Sequence, residues 1–491
     1  MSSWAYLLTA GVVSWVVKAI YNLYFHPLSR YPGSKVAAVS SSWWEWYWNY
    51  YHNGRLLFEV ERLHQQHGPV IRIGVNDLHV SDMAVYQDIT KVNTNFTKDP
   101  HFYQFISFPG TSIGETNPAK HRVRRKVLTP ALSGTRIQEL APLIEAKTIQ
   151  LLGRFDESNA SGSPVCVTAA AKAFTMDIIS KIVLGQELGC LTRPDFRSEL
   201  SDNLNAAFET GWIGPSFPNV SAVAMWSCAN MTEKYLKRFG PGCQTNGQAG
   251  PATQEELRPL TVSTGRGERS AVIDMLMDPK AVKGHSLPTL EELSDELAML
   301  LTAGSDTSSN AIISGIYYVC HHTNIYQTLL DELKEAFPSL GTDITYENAR
   351  KLTYLQAVVK ETLRLGHPLP GRLPRKVPAE GYTLYGHHLP PGVNIHTSAY
   401  ILNRHADIWD RPNDFDPTRW LSEDAATLDK QLTTFGRGAR QCLGKEYVFR
   451  PACCHRSFPR AMLTFGLKLG FMRVVGSLRQ PLSPLPSDAY P

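Results

Sequence analysis

The stretch FGRGARQCLG, residues 435–444, constrains this chain more than any other ten residues, because it sets one cysteine, Cys442, among three glycines and two arginines. Gly436, Gly438 and Gly444 allow the backbone to take positive φ and to come very close to a flat neighbour. Arg437 and Arg440 offer fixed cations suited to carboxylates. By residue type, Cys442 has four candidate uses: a disulfide, a structural thiol, a catalytic nucleophile or a metal ligand. A disulfide fits poorly in a cytosolic body, and the eight cysteines (166, 190, 228, 243, 320, 442, 453, 454) stand at irregular positions, which suits a reducing compartment. No CxxC or Cys/His ladder is present, which argues against a zinc module. A nucleophile needs a base beside it, and sequence alone leaves that open. A metal-bound thiolate gains from nearby N–H donors and positive charge, and the surroundings of Cys442 favour that use.

The 491 residues carry a net charge of +4, too small for a nucleic-acid binder, and 43% hydrophobic with 19% charged residues is a globular composition. The segment from Trp4 to Phe25 is apolar apart from Thr9, Ser14, Lys18 and Asn22. It is long enough to span a bilayer, for which roughly 20 residues are needed. Lys18 sits in its second half and Arg30 and Lys35 follow, so the positive-inside rule places the rest of the chain in the cytosol. A cleavable signal peptide would carry a positive n-region and an AxA site, and both are missing. Residues 26–38 then read as a Pro/Gly hinge, and 39–491 as the body. The run WWEWYWNYY, residues 43–51, suits a membrane interface or a buried aromatic cluster. Helical periodicity dominates from about 130 to 365, strand-like pieces stand at 69–75 and 381–386, and 240–259 is a surface loop. The expected architecture is mainly α with small β-sheets at its edge.

Three further stretches carry chemistry. Glu361 and Arg364 lie three apart, on one face of a helix whose neighbours Leu355, Val358, Val359 and Leu363 imply a half-buried setting, so the pair needs more partners. TAGSDTSS, residues 302–309, puts a glycine and small residues inside an apolar helix that begins at a capping box, Thr289 to Glu292, so a close neighbour or a bend is expected there. KHRVRRKVLTPALS, residues 120–133, is a basic helix start that on its own reads as a solvated face.

The pattern F-x-x-G-x-R-x-C-x-G at Phe435, Gly438, Arg440, Cys442 and Gly444 resembles the haem-binding loop of the cytochrome P450 family. The other stretches match the same family in order and spacing: E-x-x-R at Glu361 and Arg364, a third network member at Arg419, and AGx(D/E)T at Ala303, Gly304, Asp306 and Thr307. The resemblance implies a P450 fold behind one transmembrane helix, with haem b on Cys442 as axial thiolate, whose electron push favours O–O cleavage. It implies that His121, Arg125 and Arg375 meet the haem propionates, and that Asp306 and Thr307 relay protons to bound O2 over Ala303 and Gly304. It also implies that Glu361, Arg364 and Arg419 hold the fold behind the haem. The implied partners are NADPH–cytochrome P450 reductase, with cytochrome b5 as a second donor, O2, membrane lipid and a lipophilic substrate; Arg122, Arg124 and Lys126 could face the acidic donor. The hinge and PLPGRLPR resemble membrane-bound, trichodiene-oxygenase-like enzymes of fungal secondary metabolism, with the body on the cytosolic side of the endoplasmic reticulum. Residues 101–114, 208–218 and 369–373, with Leu301 and Ala303, would line an apolar substrate pocket.

The tail departs from the family. Pro451 and Pro459 would break the helix expected after the cysteine loop, and the end of the chain is Pro/Ser-rich. Residues beyond about 450 read as a retained intron or a shifted frame, which leaves three readings of function: a haem-thiolate monooxygenase, an impaired haem binder, and an O2-independent isomerase or dehydratase of the same fold. A thiol hydrolase using Cys442 stands further off.

Overall fold

The computed structural model describes residues 3–106, 110–204, 271–338, 346–349, 351–445 and 447. The readings of 208–218, of 240–259 and of the tail beyond 450 fall outside them. The first helix, α1 (Ser3–Ile20), runs on through a π turn at Tyr21–Phe25. Trp4–Phe25 is long and apolar enough to cross a membrane and is exposed along most of its length, with Asn22 buried near its end. Its far end is not loose. Arg72 donates from Nη1 to Asn22 O at 2.8 Å and from its backbone N–H to Pro32 O at 2.6 Å, and Leu28 is fully buried. A Cβ on Gly33 would fall inside the carbonyl of Arg72. The 26–38 stretch, read as a hinge, is therefore riveted to the body at Arg72.

The aromatic run forms α2 (Ser41–Trp46), capped by Ser40, followed by a π turn at Tyr47–Tyr51. The buried-cluster reading holds for part of it. Trp44 is buried against Ala37, Leu56 and Ile71, whereas Trp43 and Tyr51 are 57% and 67% exposed. After α3 (Leu56–His67) the main sheet gathers strands from both ends of the chain: β1 (Val70–Arg72), β2 (Asp77–Val80), β3 (Thr97–Lys98), β4 (Arg375–Lys376) and β7 (Asn394–His396), in the order β1-β2-β7-β4-β3. Asp77 pairs with Asn394 in parallel register, and Arg375 pairs with Lys98 antiparallel. A separate hairpin joins β5 (Tyr382–Leu384) to β6 (His387–Leu389).

One face of this sheet carries a histidine cluster. His64 Nδ1 donates to Gly68 O at 2.8 Å, so its Nε2 accepts from His79 Nδ1 at 2.7 Å. Burial holds His64 neutral, with its pKa lowered to about 4. A folded value below the unfolded 6.5 means that this stability is complete above pH 6.5 and is lost as pH falls toward 4. Thermal melts of wild type and His64→Gln should therefore converge as pH drops from 6.5 to 4. Curves that stay parallel across that window would remove His64 from the acid response.

The helical mass contains α4 (Pro118–Leu128), α5 (Ala141–Ser161), α6 (Val167–Leu184), α7 (Leu290–His321), α8 (Thr323–Ala336) and α9 (Thr353–Gly366). Asn117 caps α4 ahead of Pro118 at the first helical position, as a missing N–H costs nothing there. Gly162 and Gly185 end α5 and α6 in the left-handed conformation. The capping box of α7 forms as expected: Glu292 N donates to Thr289 Oγ1 at 3.2 Å and Thr289 N to Glu292 Oε2 at 2.9 Å. Apolar on nearly all sides, α6 is buried around most of its circumference and packs along α7. Gly304 marks their closest approach, because a Cβ there would collide with the side chain of Ile179. The close neighbour expected at this glycine is present, and α7 runs through it as one unbroken helix.

Candidate functional site

The cysteine loop is closed by two backbone hydrogen bonds, Gly436 N to Thr433 O at 2.9 Å and Cys442 N to Phe435 O at 2.8 Å. Gly436 and Gly438 take φ of +64° and +66°, as their residue type anticipates. Gly438 has a second reason. Its Cα rests on the peptide of Thr90, leaving no room for a Cβ, so this close approach is to the protein's own backbone. Gly444 has ordinary backbone geometry, and among the described residues a Cβ there would touch only Cys442 Sγ and Tyr447. A Gly438→Ala variant is expected to lose about 1–3 kcal/mol from backbone strain alone, with the collision at Thr90 in addition. A melting temperature equal to that of wild type would show that the loop can move away.

Cys442 is accessible at the surface of this loop, with protein packed closely around it. Burial raises its pKa, against which the Gly444 N–H and the Arg125 charge pull down. Arg125, on α4, donates to Gln441 O at 2.6 Å beside the thiol. Arg440 donates to Glu115 O at 2.7 Å and Thr116 O at 3.4 Å. Arg375, on β4, reaches the Tyr103 hydroxyl at 3.0 Å, and Lys98 lies 4.2 Å above the ring of the same tyrosine. Buried His121 completes the group.

These cations repel one another. Burial and the charges of Arg440, Lys98 and Arg125 push His121 down to about 3. Burial and Arg375 lower Arg440 to about 10, and Lys98 falls well below its usual value through burial, Arg375 and Arg440. Among the described residues, none of Lys98, Arg125, Arg375 or Arg440 is in an ion pair. Their hydrogen bonds go to neutral oxygens. Concentrated positive charge of this kind, next to an accessible thiol, fits a ligand that brings both a soft metal and more than one carboxylate, as haem does.

The α7 residues are placed differently from each other. Thr307 donates to Ala303 O at 2.8 Å, one turn back along its own helix. The Asp306 carboxylate is held by Lys172 Nζ of α6 at 2.8 Å and by Ser305 Oγ at 3.2 Å. Asp306 and Thr307 have separate partners and do not bond to each other. Behind the site, Glu361 is fully buried and accepts from Arg364 Nε at 2.9 Å and Nη2 at 2.8 Å, from Arg419 Nε at 3.0 Å, from Trp420 Nε1 at 2.9 Å and from Asp416 N at 2.9 Å. Arg364 in turn reaches the carbonyls of Asn403, Pro412 and Asp414. Glu361, Arg364 and Arg419 thus form one network between α9 and the short helical turn at Pro417–Leu421. Lys98, Lys172 and Trp420 escaped the reading of the sequence. A lone lysine in the otherwise apolar run AAAKAF was the available signal for Lys172, since a charge in such a helix needs a partner.

The cytochrome P450 family model matches residues 40–446 of the chain. The chain is a cytochrome P450. It is 58% identical over 439 residues to cytochrome P450 monooxygenase sol6 of Alternaria solani, covering 89% of this chain and 94% of that protein. It is 31% identical over 450 residues to cytochrome P450 monooxygenase aneF of Aspergillus aculeatus, covering 90% and 89%. Cytochrome P450 monooxygenase macH of Penicillium terrestre is 29% identical over 454 residues, covering 89% and 87%. The P450 is therefore a haem enzyme of the monooxygenase class, which acts on small molecules with O2 and a redox partner. Its mainly helical fold with small sheets is that of the family.

Proposed function

We propose that this P450 inserts one oxygen atom from O2 into a lipophilic terpenoid or polyketide of fungal secondary metabolism, the second oxygen leaving as water. Two electrons come from NADPH through cytochrome P450 reductase, with cytochrome b5 able to supply the second. The observation that carries this reading is the accessible Cys442 thiol ringed by cations whose partners are neutral. Cys442 would be the axial ligand, and bound haem supplies the O2 activation. His121, Arg125, Arg375 and Arg440 would take the propionates, while Phe435, Gly438 and Gly444 shape the loop. Ala303 and Gly304 would lie over the haem, and Glu361, Arg364 and Arg419 brace it from behind. Asp306, replenished through Lys172 at the protein surface, would hand protons to Thr307 once that hydroxyl leaves Ala303 O.

The exposed apolar α1 and the lysines and arginine around it, Lys18, Arg30 and Lys35, support a membrane anchor with the body on the cytosolic face of the endoplasmic reticulum. The test is NADPH-dependent O2 uptake by membranes containing the P450 and added reductase, with oxygenated product identified from an apolar substrate panel. Asp306→Asn should lower product per NADPH by about a hundredfold, at the lower end of the usual contribution of a positioned proton donor. Unchanged coupling in that variant would remove Asp306 from the relay.

A second reading has its own support. The family match stops at residue 446, which agrees with an origin of the tail in a retained intron or shifted frame and with an impaired haem binder. Sequencing the transcript through codon 450 decides it, since a spliced message encoding this tail would end the idea.

A further inference from the structure

We infer that Glu296, on α7, is a positioning residue for the haem loop. The inference rests on the reading that Cys442 ligates haem. Glu296 is fully buried, about 15 Å along the helix from Asp306 at 1.5 Å per residue. Its Oε2 accepts from the backbone N–H of Ser112 at 2.8 Å and from Arg124 Nη1 of α4 at 3.1 Å. Its Oε1 is buried with no hydrogen-bond partner among the described residues. A carboxylate with no exposure is retained at high desolvation cost, so it earns an explanation beyond packing.

The two groups it holds lead to the cysteine by separate routes. Ser112 opens the short loop that ends at Asn117, the cap of α4, and the Glu115 and Thr116 carbonyls of that loop carry both guanidinium bonds of Arg440. Arg124 sits on α4 next to Arg125, which donates to Gln441 O. Glu296 therefore pins to α7 the loop on which Arg440 rests and the helix from which Arg125 reaches, so both cations beside Cys442 take their height from one buried carboxylate. The Ser112 route should dominate. A backbone N–H left without its acceptor displaces the loop, whereas Arg124 is partly solvated and can turn outward.

The test compares full-length variants in membranes by the carbon monoxide difference spectrum of the reduced protein, with total haem measured separately. In Glu296→Leu the ratio of thiolate-type to displaced-thiolate signal should fall about tenfold, a loss on the scale of one charge-assisted hydrogen bond. Glu296→Gln keeps an oxygen for Ser112 N–H and should retain the wild-type ratio. In an Arg440→Met background Glu296→Leu should add little, because the dominant Ser112 route acts through the same carbonyls and only the weaker Arg124 route is left. A wild-type ratio in haem-loaded Glu296→Leu overturns the inference, as does additivity with Arg440→Met. Should Glu296→Leu fail to fold, a Glu296→Gln ratio as low as that of Arg440→Met overturns it as well. If wild type itself gives no thiolate-type signal, the reading of Cys442 fails rather than this one.

Discussion

Replacing Cys442 by serine is expected to abolish the thiolate-type carbon monoxide spectrum and to reduce oxygenation of any substrate by at least about a thousandfold, on the order of 4 kcal/mol of lost transition-state stabilisation. The backbone around the residue gives no reason for the loop itself to fail. Gly436, Gly438 and the hydrogen bond from residue 442 N to Phe435 O do not involve the sulfur, and serine preserves them. What disappears is the soft donor. Gly444 N–H and Arg125 lie where they stabilise negative charge on sulfur, and a hydroxyl at that place does not ionise near neutral pH. The variant should therefore keep its helical content and its affinity for the anionic edge of haem, through Arg125, Arg375 and Arg440, while losing the ligand. A Cys442→Ser protein with wild-type turnover would reject the thiolate reading, and one that fails to fold would show that the sulfur also holds the loop.

The second large effect is expected at Glu361. This carboxylate accepts five hydrogen bonds, three of them from the guanidinium groups of Arg364 and Arg419. Two buried cations thus share one anion. Removing it in Glu361→Leu leaves both unpaired, and breaking a buried pair costs about 3–5 kcal/mol where a whole domain is stable by about 5–15. Glu361→Leu is expected to accumulate little folded protein and no spectrally intact P450. Arg419→Leu, which leaves the Glu361–Arg364 fork in place, should be milder. Urea titration followed by circular dichroism orders the two, and equal midpoints for both variants would contradict the account.

The legible parts of this protein were the ones written locally. The cysteine loop needs its glycines and cations within ten residues, the α7 capping box needs only Thr289 and Glu292, and strands such as β1 and β5 lie within short strand-like runs, 69–75 and 381–386. Whatever depends on two distant segments was harder to read. Nothing in DLHV announces that β2 pairs with a strand 317 positions later, and nothing in the 26–38 stretch announces that Arg72 will pin it. Gly438 was correctly expected to need its freedom, yet its tight neighbour is Thr90, which only the fold brings there. Glu296 and Trp420 are ordinary residues in sequence and gain their meaning from the partners that the loop before α4, α4 itself and α9 deliver. The aromatic run at 43–51 was read as either interfacial or buried, and packing divides it residue by residue.

The central claim is that Cys442 holds haem iron as a thiolate in a folded P450. The carbon monoxide difference spectrum of the reduced, membrane-expressed chain tests it most directly. The account predicts a thiolate-type Soret band, with haem bound in proportion to protein. A displaced-thiolate band, or protein without haem, would contradict it and would turn attention to the residues beyond 450.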